Sequence, residues 1–393
     1  MKEIIRSYYL DKIIPFRSKH LIKVLVGQRR VGKTTILKQI ASSSDPTKIL
    51  QINMEQSDVS WILSDTELTQ HLESAIEKGV SEIYIDEVQM IKNWEIAINS
   101  IFSKYPNVDI FLTGSNSELL SSELTTLLRG RYISFEIFPF SYDEFCLYFE
   151  FEKDRRSWQR YMELGTTPIN YMLDNTLLVH EWMKNLVSTI FLKDIVERYK
   201  IKDVHILEEV FLFFVNNIGN NVSLTSIMRT LASRGVSTNL TTLGNYVEYL
   251  KNTFLIYEAP LYDLRGKQVF NRERKLYLSD PLYRKIFFSG YDAGVGKILE
   301  NLIFLEAKRR GYSVYVGRMG DMEIDFVIER EGVRKYIQVA YLLSDEDVIK
   351  REFGNLKAIP DSWEKYVISL DEISFGIIDG IKHVQAWDME SIF

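Results

Sequence analysis

The amino-acid sequence predicts an α/β fold with a parallel sheet in its N-terminal part, and three observations support that class. Short apolar strand patterns alternate with helical patterns as far as residue 114. A glycine-containing loop joins the first predicted strand, 21–26, to the first predicted helix. The chain has 393 residues, of which 46% are hydrophobic, so we expect two or three domains with separate cores.

The predicted elements of this sheet follow one another at short intervals. The strand patterns are rich in Ile, Leu and Val, and the helical patterns repeat apolar residues every three or four positions. The predicted strands are 21–26, 48–54, 82–89 and 108–114, and the predicted helices are 35–41, 68–78 and 94–105. In such a sheet a ligand is expected beyond the carboxyl ends of the strands.

The loop after the first strand fits the pattern G-x-x-x-x-G-K-[ST], which is typical of phosphate binding. Glycine lacks a Cβ, so the backbone N–H groups can converge on phosphate oxygens beside the positive end of a helix. Lys33 is expected to reach the β- and γ-phosphates, and the Thr34 hydroxyl is expected to ligate Mg²⁺. The predicted nucleotide-binding residues are Gly27, Gln28, Arg29, Arg30, Val31, Gly32, Lys33, Thr34 and Thr35.

Polar residues follow two further strands of the predicted sheet. Asp86 is predicted to hold Mg²⁺, and Glu87 to orient or deprotonate the attacking water. Alternatively, both acids are solvated residues at a strand end. The strand 108–114 should lie beside both the loop strand and the acid strand, so that Ser115 or Asn116 senses the γ-phosphate. The alternative for this pair is a simple polar turn.

Composition limits the class of protein. The net charge is −6, so no overall basic character indicates nucleic-acid binding. The single cysteine, Cys146, excludes an intramolecular disulfide and is expected to be a buried packing thiol in a reducing compartment. No apolar run has the length of a membrane span, and no secretory signal begins the chain. We therefore expect a cytoplasmic protein.

The rest of the sequence divides into three patterns. Residues 142–199 are helical in pattern, whereas 204–258 contain two short helices, 224–232 and 241–250, joined by a polar turn. That arrangement indicates a helix-turn-helix or winged-helix unit. A helix at 298–310 then precedes strands at 313–316, 323–328, 336–339 and 366–368, which indicates a second α/β domain.

In its order of motifs the chain resembles a prokaryotic family with an AAA-type ATPase domain before a C-terminal domain related to PD-(D/E)xK nucleases. The motifs are the loop at 27–35, Ile83–Gln89, Leu112–Ser117, 128–132, Phe138–Phe145, Asp280–Leu282, 296–301, Glu323–Phe326 and 336–341. The resemblance implies an α/β fold in four parts: a P-loop NTPase domain (1–141), a helical lid or linker (142–203), a winged-helix-like domain (204–262) and a small nuclease-like domain (263–393).

The resemblance also assigns roles to single residues. Arg131 is the candidate arginine that stabilises γ-phosphate charge, either in cis or from a neighbouring subunit, and Arg129 is the second choice. In the C-terminal domain, Asp325 and Glu300 fit the nuclease acids. The second strand reads Gln338-Val339-Ala340 where Glu-x-Lys is expected, which favours a scaffold that binds without cleaving.

The favoured hypothesis is an Mg²⁺-dependent ATPase that passes conformational change to its C-terminal domains. The competing hypothesis is a nucleotide-gated regulatory or binding module with negligible turnover, and a third is an ATP-controlled nuclease. The expected ligands are ATP and Mg²⁺. The expected partners are DNA at the winged-helix-like region, a protein client and, if the arginine acts in trans, a second copy of the chain; no membrane is expected.

Overall fold

The computed structural model of the protein describes residues 3–120, 128, 130–173, 175–288 and 294–393, without the side chains of 118, 120 and 271–273. The chain forms two compact units. The first contains Met1–Pro139 with Asn252–Phe254, and the second contains Phe140–Lys251 with Leu255–Phe393.

A five-stranded parallel sheet forms the centre of the first unit. Its strand order is β2-β3-β4-β1-β5, which confirms the predicted parallel sheet. Its helices are α1 (Ser7–Ile13), α2 (Lys33–Ala41), α3 (Asp65–Glu77) and α4 (Trp94–Lys104). Its strands are β1 (Ile22–Val26), β2 (Ile49–Asn53), β3 (Glu82–Asp86), β4 (Asp109–Gly114) and β5 (Tyr132–Glu136), the last of which the sequence did not predict.

Burial and capping explain where these elements lie. All five residues of β1 are buried, as expected of a central parallel strand covered on both faces. The apolar face of α2 packs against this sheet in one core with Leu25, Tyr84 and Phe111. Helix α3 begins at Asp65, earlier than predicted, because Ser64 and Glu67 form a reciprocal capping box.

Helices dominate the first part of the second unit, as predicted for 142–199, and the described residues of that range contain no strand. Cys146 is 5% exposed and burial raises the pKa of its thiol, which confirms a packing cysteine. None of the helices within the described ranges has the length and apolarity needed to cross a bilayer. The helices are α5 (Tyr142–Phe149), α6 (Arg155–Leu164), α7 (Thr176–Thr189, continued by a π-helix at Ile190–Val196), α8 (Val204–Asn216), α9 (Leu224–Ser233), α10 (Leu240–Asn252), α11 (Leu282–Phe287), α12 (Val295–Arg309) and α13 (Glu346–Lys357).

The strands of the second unit form one mixed sheet. They are β6 (Asn221–Val222), β7 (Ile256–Asp263), β8 (Gln268–Leu278), β9 (Ser313–Met319), β10 (Met322–Arg330), β11 (Val333–Val339), β12 (Glu364–Ser369), β13 (Ile377–Ile378) and β14 (Ile381–Gln385). Their order is β13-β14-β12-β11-β10-β9-β7-β8-β6. Strand β7 pairs antiparallel with β8 and parallel with β9.

This sheet extends across two of the predicted domains. The predicted boundary between residues 262 and 263 falls inside β7, and the β7–β8 hairpin joins the helices α8–α10 to the C-terminal strands. The second α/β domain therefore does not have a sheet of its own. The division of the chain into four domains remains a prediction.

Candidate functional site

The predicted phosphate loop lies between the carboxyl end of β1 and the first turn of α2. Gly27 has a φ of +148°, and a Cβ at that position would lie 2.3 Å from the Ile137 carbonyl oxygen. Gly32, with a φ of +98°, is the N-cap residue of α2. Both positions therefore need glycine, the first for close backbone contact and the second for the left-handed entry into the helix.

Lys33 is folded back into the loop that precedes it. Its side chain is 4% exposed, and Nζ donates hydrogen bonds of 2.9 Å to the carbonyl oxygens of Gly27 and Gln28. The same ammonium lies 3.8 Å from Glu87 Oε1. The hydrogen bonds of this buried ammonium thus go to two neutral carbonyl oxygens. A phosphate oxygen carries charge and is a stronger acceptor, so it can replace them.

Thr34 and Asp86 form a pair of oxygen ligands next to this ammonium. The Thr34 hydroxyl donates to Asp86 Oδ2 at 2.8 Å, and the Thr113 hydroxyl donates to the other carboxylate oxygen. Burial raises the pKa of Asp86, and the neighbouring charge of Glu87 adds to the effect, while the two hydroxyls and Lys33 oppose it. A hydroxyl and a carboxylate in contact are donors of the kind that Mg²⁺ prefers.

Glu87 ends β3 by adopting a left-handed conformation with a φ of +57°. The observed strand therefore ends at Asp86, three residues before the end of the predicted strand 82–89. The Glu87 amide donates to Thr113 Oγ1 at 3.0 Å, and its carboxylate accepts from Ser115 Oγ at 3.1 Å. Gln89 was missed by the sequence analysis, although its amide donates both to the Glu87 carboxylate and to Ser115 Oγ. These contacts fix the carboxylate by hydrogen bonds from two directions.

The remaining predicted residues differ in burial. Asn116 and Gln28 are each 1% exposed, and Val31 is fully buried. Arg30 is exposed, with a φ of +68°, and Arg29 forms an ion pair of 3.3 Å with Glu55. Thr35, the second residue after Lys33, is half-buried in the first turn of α2. The structure thus keeps the loop residues together, and the roles assigned to them remain predictions.

Arg131 lies far from these residues. It precedes β5, whose first residue, Tyr132, is paired with Ile22 at the amino end of β1. A strand of five residues spans about 16 Å, so Arg131 lies at the opposite edge of the sheet from the loop. Its guanidinium donates to Asn99 and, at 3.0 Å, to Ser103 Oγ. This position does not allow Arg131 to reach the phosphate loop of its own chain, but it leaves a role in trans open. Arg129, the second candidate, lies outside the described residues.

Arg6 is a second residue that the sequence analysis missed. Its side chain is 1% exposed and donates to the Val31 carbonyl at 2.7 Å and to the Phe138 carbonyl at 3.0 Å. The Tyr9 hydroxyl accepts from the Phe138 amide at 2.9 Å. The N-terminal segment therefore ties the phosphate loop to the chain that follows β5, through contacts that no local motif indicates.

A cluster of acids in the second unit surrounds one buried lysine. The Lys275 ammonium, on β8, lies 2.7 Å from Glu323, 3.3 Å from Glu300 and 3.9 Å from Asp325. Glu300 also accepts from the Tyr277 hydroxyl at 2.8 Å. Glu300 and Asp325, the two acids predicted from the resemblance, thus lie close together. Lys275 lies between them, but it comes from β8, which is not part of the nuclease motif.

The strand that carries Gln338 and Lys335 brings no amine to this cluster. The Gln338 amide oxygen accepts from the Asp325 amide at 3.2 Å, and Lys335 donates instead to the Ile392 carbonyl. Burial raises the pKa of Asp325 to about 7; Glu300 adds to this rise and Lys275 opposes it. Within the described residues, no group of three His, Cys, Asp or Glu side chains is arranged to hold a metal ion.

The loop, the acid pair and the parallel sheet define an AAA-type P-loop domain, and comparison with known families agrees. Residues 19–146 match the family model AAA_14, described as an AAA domain, and residues 155–282 match a domain of unknown function, DUF8612. An uncharacterized protein of Haemophilus influenzae is 34% identical, over 98% of this chain and 98% of its own. The chain belongs to the same family as that protein.

More distant similarities extend to an archaeon and to solved structures. The uncharacterized protein MJ1544 of Methanocaldococcus jannaschii is 28% identical, over 97% of this chain and 87% of its own. AMPPCP-bound DnaA from Aquifex aeolicus is 12% identical, covering 64% of this chain and 89% of its own, with a TM-score of 0.31. Cdc6p from Pyrobaculum aerophilum is 10% identical, covering 75% of this chain and 93% of its own, with a TM-score of 0.30. Scores this low support no argument about function.

Replacing Arg6 with Ala is expected to weaken nucleotide binding by about tenfold, the equivalent of one hydrogen bond to a charged group. The change leaves the Val31 and Phe138 carbonyls without their charged donor and loosens the loop. Binding of a fluorescent ATP analogue measures the effect. Arg17→Ala is the matched control, because Arg17 donates to the Ile40 carbonyl at the far end of α2. Equal affinity in wild type and Arg6→Ala would contradict a positioning role.

Replacing Lys275 with Ala is expected to lower the free energy of unfolding by about 3–5 kcal/mol, because it leaves buried carboxylates without their counter-charge. Urea denaturation measures this loss. Lys297→Ala is the control, since Lys297 lies 3.3 Å from the same Glu300 but its side chain is 36% exposed. A Lys275 variant no less stable than the Lys297 variant would show that the cluster does not need this ammonium.

Proposed function

We propose that the protein is an Mg²⁺-dependent ATPase whose site is the phosphate loop of the first unit. The observation that supports this most directly is the meeting of Lys33, Thr34, Asp86 and Glu87 at one edge of the sheet. Two parts of the chain, about fifty residues apart, supply a phosphate-binding cation, a pair of oxygen ligands and a carboxylate. Those are the parts that phosphoryl transfer to water requires.

Each residue has a separate task in this proposal. The backbone N–H groups of the loop and the first turn of α2 bind the β- and γ-phosphates, and Lys33 exchanges its two carbonyl acceptors for phosphate oxygens. Thr34 and Asp86 hold the magnesium ion, which neutralises phosphate charge when bound. Glu87, oriented by Ser115 and Gln89, positions the attacking water and accepts its proton.

A second candidate function is nucleotide-gated binding with negligible turnover. The position of Arg131 favours it, because an isolated chain cannot bring that guanidinium from the amino edge of the sheet to its own loop. Arginine charge at the γ-phosphate then depends on a second copy of the chain or on a partner. If ATP turnover per chain rises with protein concentration, the result supports an ATPase with an arginine supplied in trans. If ATP binds without turnover at every protein concentration, the result supports the nucleotide-gated module.

We further propose DNA as a partner of the winged-helix-like region predicted at 204–262, extended here to the whole β7–β8 hairpin, with the helices α9 and α10 and this hairpin arranged as a winged helix. Arg229 on α9 and Asn239, directly before α10, are exposed, as are Arg265 and Lys267 at the hairpin turn. Other basic residues of this region form ion pairs, since Arg234 pairs with Glu209 and Lys251 with Glu248 and Glu258. These ion pairs neutralise part of the positive charge that could contact DNA phosphates. Weak, salt-sensitive DNA binding is therefore expected.

Glu87→Gln is expected to lower ATP turnover by about 10²–10⁴-fold while ATP binding is retained, because it removes the proton acceptor but keeps the side-chain shape. Lys33→Ala is expected to abolish binding and turnover together. Phosphate release and nucleotide binding by calorimetry measure the two quantities. Glu82→Gln is the control, since Glu82 lies at the amino end of the same strand. Turnover that survives Lys33→Ala would place the activity at another site.

The double variant Arg229→Ala, Arg265→Ala is expected to lower the slope of log affinity against log salt by about 2, one for each lost phosphate contact. Fluorescence anisotropy with a labelled duplex at several salt concentrations measures it. Arg155→Ala serves as a control outside this region, because Arg155 pairs with Glu372. The absence of binding at low salt on any duplex would contradict a role in DNA binding.

A further inference from the structure

A cavity of about 340 Å³ opens in the second unit, at one end of the mixed sheet. The β7–β8 hairpin, the turn between β10 and β11 and the segment before β12 enclose it, and no residue of the phosphate loop contributes to its wall. Its volume is in the range of small-ligand sites, which span about 300–1,000 Å³. Neither the AAA motifs nor the acid cluster accounts for this space.

Aromatic rings form much of the cavity wall. Tyr262 is 7% exposed, and the Arg334 guanidinium stacks on its ring at 4.6 Å from the centroid. Tyr336 is fully buried behind them. Trp363 is different, because it lines the cavity while remaining 41% exposed. A large aromatic side chain left in water beside a cavity is a surface on which a planar ligand can stack.

Polar groups in the same wall have hydrogen-bonding capacity to spare. The Arg334 side chain is 18% exposed, and its Nη2 donates to Glu329 at 3.2 Å. A guanidinium carries five N–H donors, so it can also donate to an acceptor of a ligand. Asp361 accepts from the Tyr336 hydroxyl at 2.6 Å and leaves lone pairs for a ligand donor.

The charges of the wall narrow the class of ligand. Lys267 and Arg334 balance Glu329 and Asp361, so the lining is neutral overall but rich in donors and acceptors. A purely apolar ligand would leave these groups unpaired. A metal ion is disfavoured, because Glu329 is paired with Arg334 and Asp361 is bonded to Tyr336. A planar, neutral ring with both a donor and an acceptor on its edge satisfies the site.

We propose that this cavity binds a nucleobase. The ring stacks on Trp363 and beside the Tyr262–Arg334 stack, its edge accepts from the Arg334 guanidinium and donates to Asp361, and a phosphate attached to the sugar meets Lys267 at the rim. The base belongs either to a free nucleotide or to an unpaired residue of a single-stranded nucleic acid. This site is separate from the ATPase site and does not depend on it.

The test uses the full-length Lys33→Ala protein, in which the phosphate loop is expected not to bind nucleotide. Cytidine and adenosine, which carry no phosphate, and a short single-stranded oligonucleotide are titrated by calorimetry. Trp363→Ala is expected to weaken binding by about tenfold or more, since stacking on an aromatic ring supplies that much affinity per base. Trp363→Phe should retain most of the binding, and Trp61→Ala is the control, because Trp61 is an exposed tryptophan of the other unit.

Each outcome decides the proposal. Loss of nucleoside binding in Trp363→Ala and in Arg334→Lys, which keeps the charge but removes the planar guanidinium, supports a site for free nucleotides. Binding of the oligonucleotide alone, with the same losses, supports an unpaired base of a nucleic acid. No binding of either ligand, or binding that both variants leave unchanged, overturns the proposal. The result is independent of ATP turnover, which is measured on the protein with Lys33 intact.

Discussion

The parallel register of β1, β3 and β4 is the constraint on which the candidate ATPase site depends. Ile85 lies opposite Leu112, and Val26 lies opposite Gly114, so the three strands end at the same edge. Every polar residue that follows one of these strands is therefore delivered to a common place. The contacts of Asp86 with Thr34 and of Glu87 with Ser115 are consequences of that alignment rather than of separate local preferences.

The residues of the site that could be predicted are those that belong to a short, contiguous sequence motif. The glycines, Lys33 and Thr34 lie in one loop, and Asp86 and Glu87 follow an apolar strand, so their sequence neighbours indicate where they lie. Arg6 could not be found in this way, because its acceptor at Phe138 is 132 positions away. The sequence could not decide between a role of Arg131 in cis and one in trans, because that choice depends on β5, which the sequence did not indicate and which begins at the amino edge of the sheet.

The second unit shows a similar limit on prediction. The sequence pattern indicated the helices of 142–199, α9, α10, α12 and the strands β9–β12, and Glu300 and Asp325 do meet. Lys275 could not be recognised, since it lies outside the motif and reaches the acids only through the pairing of β7 with β8 and β9. The buried ammonium of Lys275 lies among these carboxylates and balances part of the negative charge that would otherwise attract a metal ion.

The sheet shared by the helices α8–α10 and the C-terminal strands has a consequence for how the chain can be divided. A fragment ending at residue 262 would cut β7 one residue before its end and remove β8 and β9 from its two sides. Both edges of β7 would then carry unpaired N–H and C=O groups, which promote edge-to-edge aggregation. Recombination or proteolysis at this point would separate two halves of one folding unit, because the helices α8–α10 and the acid cluster share this sheet.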